Sequence, residues 1–180
     1  MNSILNRLDD FERFRNRYNV FSFRGYAIDL NTDGECCIKY DFYLDGESRY
    51  QPKHVFHGVP WSKYQQLDAW AFHLGLIEAI SYWKAYCPKF LELPVKGLSR
   101  FEKDWWQGLF YNGLGEFRYL NGLMGLKQNE FCTEFVYSSS YKTPGRMTDQ
   151  SNRRNAKSLV PMGGGKDSAL TLALAHEGGF

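Results

Sequence analysis

Val20-Phe21-Ser22-Phe23-Arg24-Gly25-Tyr26-Ala27-Ile28-Asp29-Leu30, then Asn31-Thr32-Asp33-Gly34, then Glu35-Cys36-Cys37-Ile38-Lys39-Tyr40-Asp41-Phe42-Tyr43-Leu44: the reading of these residues decides the fold class. The first run is aromatic and rich in strand formers. The four residues after it supply a turn, with Gly34 where a positive φ is needed. The second run alternates, placing Cys36, Ile38, Tyr40 and Phe42 on one face and Cys37, Lys39, Asp41 and Tyr43 on the other. Two such runs joined by a tight turn form an antiparallel hairpin. Asp45-Gly46-Glu47-Ser48 is a further turn. A third short strand around His54-Val55-Phe56 completes a small antiparallel sheet.

Helical patterns flank the sheet. Ile4, Leu5, Leu8, Phe11 and Phe14 recur at helical spacing, so residues 3–16 read as a short amphipathic helix. Residues 62–86 carry the longest helical pattern. Leu67, Trp70, Ala71, Leu74, Ile77 and Ile80 make a broad apolar face that Trp83 extends, and Pro88 stops it. Phe90-Leu91-Glu92-Leu93 reads as a strand. Ser99-Arg100-Phe101-Glu102 is a capping box that starts a helix over about 100–112. Asn112-Gly113-Leu114-Gly115 interrupts it, Glu116 to Asn121 resume it, and Phe131 to Tyr137 alternate like a strand. Residues 1–137 are therefore an α+β domain, a small antiparallel sheet packed with helices. Over 138–155 Ser, Thr, Gly, Arg, Asn and Asp displace apolar residues, which marks a polar linker or mobile loop.

The composition narrows the function. The 180 residues are 43% hydrophobic and 23% charged, a globular composition rather than a disordered one. Twenty-two basic and twenty acidic residues leave a net charge of +2, which excludes a strongly basic nucleic-acid coat. No apolar run has the length of a membrane span, and the first ten residues lack a signal peptide's apolar core. The expected compartment is the cytoplasm. Cys36, Cys37, Cys87 and Cys132 form no C-x-x-C pair and are too few for a disulfide scaffold. His54 and His57 stand three apart on the third strand, on opposite faces, so no metal site is expected there.

Chemistry concentrates near the C-terminus. Ser158-Leu159-Val160-Pro161-Met162 is a short apolar strand, Gly163-Gly164-Gly165 a turn, and Lys166-Asp167-Ser168-Ala169-Leu170-Thr171-Leu172-Ala173-Leu174-Ala175 a helix. Glycines let the backbone approach an anion, and the unpaired N–H groups of a first helical turn point at it. Lys166 adds a point charge and Ser168 a hydroxyl. A Walker A loop is excluded because Asp167 follows the lysine and no glycine lies five residues before Gly165. A dinucleotide fingerprint is excluded because Ser168 stands where its last glycine belongs.

Gly164-Gly165-Lys166-Asp167-Ser168 resemble the phosphate loop of ATP pyrophosphatases, S-G-G-x-D-S, with Gly163 in place of the usual serine. Two upstream blocks extend the likeness: His73-Leu74-Gly75-Leu76-Ile77-Glu78-Ala79-Ile80-Ser81-Tyr82-Trp83-Lys84-Ala85-Tyr86-Cys87-Pro88 and Tyr111-Asn112-Gly113-Leu114-Gly115-Glu116-Phe117-Arg118-Tyr119-Leu120-Asn121-Gly122-Leu123. With the loop they resemble the UDP-N-acetylmuramoyl-L-alanyl-L-glutamate epimerase family, MurL, from about residue 20 onward. The resemblance implies ATP-dependent inversion of the terminal L-glutamate of UDP-MurNAc-L-Ala-L-Glu, with release of AMP and pyrophosphate. It implies ATP and Mg2+ as cofactors, and Gly163, Gly164, Gly165, Lys166, Asp167 and Ser168 as the nucleotide contact. The nucleotide-sugar peptide is the expected partner, with no nucleic acid and no membrane.

The inverting acid and base are sought in the resembling blocks among Lys84, Glu78, Cys87, His73 and Glu116. Glu116 and Lys84 are the leading pair. Glu116 follows a glycine-rich break that can aim it into a cleft. Tyr82, Trp83, Trp105 and Trp106 read as core or interface rather than as a stacking shelf for uridine. Twelve residues follow Ser168, and a doubly wound nucleotide domain needs several further strands. Residues 156–180 are thus expected to be the incomplete start of an α/β domain, and the chain alone is expected not to turn over ATP. Two other readings are open: another adenylating ATP pyrophosphatase, of the amide synthetase or tRNA-thiolating type, and a non-catalytic binding module.

Overall fold

β1 (Val20–Leu30) and β2 (Cys36–Leu44) pair antiparallel from Phe21 opposite Leu44 to Leu30 opposite Cys36. The computed structural model that shows this describes residues 2–31, 34–46, 48–58, 66–138, 160 and 163–178, with side chains described from residue 8 onward. It divides into two compact units, Met1–Met147 and Thr148–Phe180. The linker expected over 138–155 lies outside the described residues except for Ser138, as does the expected strand before the glycines except for Val160.

The alternation in β2 is realised as burial. Cys36, Ile38, Tyr40, Phe42 and Leu44 are buried, while Lys39 on the opposite face is exposed and Cys37, Asp41 and Tyr43 are half-buried. The hairpin register shifts between Phe23 and Gly25, where Gly25 has a φ of 151°. This bulge hands one extra residue to β1, and Arg24 lies over the Tyr43 ring at 3.8 Å.

β3 (Ser48–Tyr50) and β4 (Lys53–Phe56) both pair antiparallel with β2, at opposite ends of it. β4 is the third strand expected. β3 is additional, and it begins at Ser48, the last residue of the expected turn. β5 (Phe90–Leu93) runs parallel to β1, and β6 (Glu134–Tyr137) parallel to β5. The sheet order is β3-β2-β1-β5-β6, with β4 also on β2. The α+β class holds, and the antiparallel part is extended by two parallel strands. Those pairings close over long crossovers, which local alternation cannot reveal.

The helices are α1 (Asn2–Arg17), α2 (Leu67–Trp83), α3 (Arg100–Gly113), α4 (Gly115–Leu120) and α5 (Gln128–Phe131). The expected start of α2 at residue 62 falls among residues that are not described. The face of α2 differs from the expected one. Ala71, Phe72, Gly75, Leu76, Ala79 and Trp83 are buried, whereas Trp70 and Ile77 are each 52% exposed. Apolar residues surround this helix, so its periodicity selects no single face.

Gly75 sets how closely α2 meets the sheet. A Cβ there would lie 2.5 Å from Phe23 Cζ and 2.7 Å from Tyr40 Cε1. Phe72 stacks on Phe23, and Tyr40 donates its hydroxyl to the Ala71 carbonyl at 2.9 Å. Tyr26 adds a hydrogen bond to the Asp68 carboxylate at 2.9 Å.

α3 begins with the expected box. The Glu102 N–H donates to Ser99 Oγ at 3.3 Å, and the Ser99 N–H donates to Glu102 Oε2 at 2.8 Å. α3 ends at Gly113, and α4 resumes at Gly115. Phe131, expected in a strand, ends α5 instead. The Lys127 N–H donates to Glu130 Oε2 at 2.7 Å, closing a helical turn before β6. Trp83 packs edge-on against both Phe110 and Phe131, and Phe11 of α1 stacks on Phe131. The core is thus a continuous aromatic cluster.

The second unit contains α6 (Lys166–Glu177), which follows the glycines as expected. None of its residues is buried, and Leu170, Leu172 and Leu174 are exposed. No described helix is long and apolar enough to cross a membrane.

Candidate functional site

In the second unit, three glycines lead into the N-terminus of α6. Gly164 adopts a φ of +81°, the left-handed region where an L side chain is strained. Gly165 is the N-cap and supplies no side-chain cap. The first helical bond runs from the Ala169 N–H to the Gly165 carbonyl at 3.3 Å. The N–H groups of Lys166, Asp167 and Ser168 precede it, and these are the donors a helix leaves for an anion.

A Cβ added at Gly164 or Gly165 would meet nothing within 4 Å. The chain therefore leaves space beside the backbone, as close approach of a phosphate requires. Ser168 Oγ accepts the Gly163 N–H at 3.1 Å and ties the loop closed. A Cβ at Gly163 would sit 3.8 Å from that oxygen, so the loop has room for the serine usual in the motif. Lys166 Nζ and Asp167 Oδ1 stand 4.0 Å apart, both highly exposed. The donor set is three backbone N–H groups, a hydroxyl and an ammonium, which suits an anion of several charges. Asp167 and Ser168 are hard oxygen donors of the kind Mg2+ takes.

In the first unit, a cleft of about 370 Å³ lies between α1, the C-terminal end of α2 and α4. Its lining includes Asp10, Phe11, Lys84, Cys87, Phe117 and Asn121. The end of α2 shapes one wall. The Cys87 N–H bonds the Trp83 carbonyl at 2.8 Å, and Cys87 is left-handed with a φ of 49°, a helix-end position that glycine usually fills. Cys87 is buried, as a helix-end cysteine is expected to be, and burial pushes its thiol up to about 12, with Arg15 opposing the shift. At neutral pH this thiol is protonated. It can give a proton but cannot take one.

The five acid–base candidates are not gathered in one place. Lys84 and Cys87 share the cleft. Glu116 is exposed on α4 and is not among the cleft-lining residues, although Phe117 and Asn121 beside it are. Glu78 faces the sheet, with its Oε2 3.4 Å from His54 Nε2 of β4 and its carboxylate bonded by the Tyr82 hydroxyl. His73 stacks on Trp106 at 5.8 Å, and burial lowers its pKa against the opposing pull of Glu102. His57 lies beyond β4, 2.8 Å from Glu35. Trp83 and Trp106 are core residues and Tyr82 is half-buried, whereas Trp105 is 52% exposed. Among the described residues no three His, Cys, Asp or Glu side chains are grouped to hold a metal ion.

Asp10 and Asn121 were not singled out in the sequence. Asp10 looked like one of many charges on an amphipathic helix, and Asn121 like a helix end. Neither residue type carries a local signal for a cleft that assembles from segments about a hundred residues apart.

A family model described as the MurL N-terminal domain matches residues 12–180. No curated protein and no solved structure matches the chain.

Proposed function

We propose, since this chain belongs to the MurL family and carries its N-terminal domain, that it forms part of an ATP-dependent glutamyl epimerase. The family places it among epimerases of peptidoglycan precursor synthesis. The reaction we assign is inversion of the terminal L-glutamate of UDP-MurNAc-L-Ala-L-Glu, with ATP converted to AMP and pyrophosphate, in the cytoplasm. The observation that carries the nucleotide half of this reading is the Gly163–Ser168 loop: a left-handed Gly164, open space beside Gly165, and the first-turn N–H groups of α6.

Such an inversion has a physical reason to consume ATP. A carboxylate beside Cα resists deprotonation, because the carbanion would form next to a negative charge. Activating that carboxylate as the adenylate removes the charge and acidifies the α-proton. A base then takes the proton, an acid returns one to the opposite face, and water cleaves the acyl–phosphate bond to free the carboxylate and AMP.

In this reading the backbone N–H groups of Lys166, Asp167 and Ser168 hold the phosphates, and Lys166 adds positive charge. Asp167 and Ser168 supply oxygen donors for Mg2+, which neutralises phosphate charge when bound. Of the two leading candidates, Lys84 and Glu116, we keep Glu116 for proton handling, while Lys84 lines the cleft as a cation. The loop alone does not separate this enzyme from other adenylating ATP pyrophosphatases; the family match favours the epimerase.

The test is to incubate the full-length protein carrying this domain with ATP and UDP-MurNAc-L-Ala-L-Glu, and to measure AMP and D-glutamyl product together. Equal amounts of both support the reading. AMP release that ignores the substrate, or no D-glutamyl product, overturns it.

A further inference from the structure

We propose that the cleft between α1, the end of α2 and α4 binds the free carboxylate end of an N-acylated amino acid, with the Lys84 ammonium as its anchor. The proposal deepens the epimerase reading and rests on it for the identity of the natural ligand. The anion site itself does not depend on that reading.

Charge comes first. Lys84 has no ion-pair partner among the described residues, and it is exposed at the cleft. The carboxylate that lines the cleft, Asp10, is already matched by Arg13 at 2.7 Å. Among the lining residues this leaves the Lys84 ammonium as the charge without an ion-pair partner. An ammonium with no carboxylate of its own is the group that a ligand carboxylate meets with a charge-assisted hydrogen bond.

Size and lining choose among anions. About 370 Å³ is at the small end of ligand sites. It holds an amino-acid-sized end group and not a whole nucleotide sugar. Phe11, Phe14 and Phe117 supply apolar wall for methylene groups. The Asn121 Nδ2 is already spent on the Phe117 carbonyl at 2.8 Å, which leaves its Oδ1 as an acceptor. The Asp10 carboxylate, whose Oδ1 meets Arg13, is an acceptor too. They call for a hydrogen-bond donor on the ligand near the carboxylate, as the amide N–H of an N-acylated amino acid provides and a simple fatty acid does not. The left-handed turn at Cys87 places Lys84 and the end of α2 on one wall, with α1 and α4 as the others.

The experiment is amide NMR on the full 180-residue chain, titrated with N-acetyl-L-glutamate and, separately, with its uncharged diamide. Wild type is expected to show saturable shifts at Lys84, Asp10 and Asn121 with the acid and not with the diamide. Lys84→Met is expected to weaken the acid about tenfold, while Lys84→Arg retains most of the binding and Lys96→Met, which removes an exposed charge outside the cleft, changes nothing. Unchanged spectra of the folded core report that each variant is folded. No shifts in the cleft, equal binding of the diamide, or indifference to Lys84→Met each overturn the proposal. A cleft that binds the acid in a protein that releases no AMP would retain this site and sink the epimerase reading. AMP release with a cleft blind to the acid would do the reverse.

Discussion

The body formed by β1–β6 and α1–α5 and the loop with α6 solve opposite problems with the same twenty side chains. In the body, aromatic rings interlock. Phe23, Tyr40, Phe42, Phe72, Trp83, Phe110 and Phe131 are each at most 1% exposed, and α2 is pulled onto the sheet by a glycine. In α6 no residue is buried, yet the glycine turn still holds its shape through local bonds such as Ser168 Oγ with the Gly163 N–H. One region is specified by packing and the other by backbone conformation. Mutations in the two regions should therefore act differently. Changes in the body should cost stability without touching nucleotide binding, and changes in the loop should do the reverse.

The largest effect is expected at Trp83, which meets Phe110 and Phe131 and donates its indole N–H to the Pro88 carbonyl at 3.0 Å. Trp83→Ala should cost about 3–5 kcal/mol in urea unfolding, and a loss well under 1 kcal/mol would break the packing account. Gly75→Ala comes next. In most helices this change stabilises, by about 1 kcal/mol. Here the new Cβ collides with Phe23 and Tyr40, so the sign should reverse, with about 1–3 kcal/mol lost. Ser99→Ala removes the capping box of α3 and should cost about 1 kcal/mol.

The comparison is sharpened by Lys166→Met, whose side chain is highly exposed. Denaturation should be unchanged while ATP binding, read by equilibrium dialysis, falls about tenfold. A fall in stability with ATP binding intact would invert the contrast between body and loop.

The smallest effect concerns His73. Burial lowers its pKa from the ordinary imidazole value of 6.5. The unfolded chain therefore takes up a proton before the folded one does, and that uptake favours unfolding. His73 should subtract stability as pH falls from about 6.5 through the lowered folded value, and subtract nothing above about 6.5. The pH dependence of stability in His73→Gln should be flatter than wild type over that window. Equal slopes would contradict the burial seen against Trp106.

Much of the body was legible because its signals are local. The β1–β2 hairpin, the Ser99–Glu102 box and the break at Gly113 depend on residues within a few positions of one another. The buried face of α2 was not legible. Trp70 and Ile77 look like core by composition, and only Gly75, by letting Phe23 and Tyr40 approach, decides which side meets the sheet. The pairing of β5 with β1 and of β6 with β5 was hidden for the same reason, since each pairing closes a long loop. The glycine turn before α6 could be read directly, because it is a property of six consecutive residues. The cleft could be read only in part. Lys84 stood out within a block of the chain, but Asp10 and Asn121 join it only through the tertiary fold.

The central claim is that the domain serves an inversion at Cα made possible by ATP. The most direct measurement is deuterium incorporation at Cα of the glutamyl residue when the full-length protein is incubated with UDP-MurNAc-L-Ala-L-Glu in D2O, with and without ATP. The account predicts that the solvent label enters the D-glutamyl product when ATP is present, and that it fails to enter when ATP is withheld or Lys166 is changed to Met. Inversion that proceeds equally without ATP, or D-glutamyl product that carries no solvent label, would contradict it.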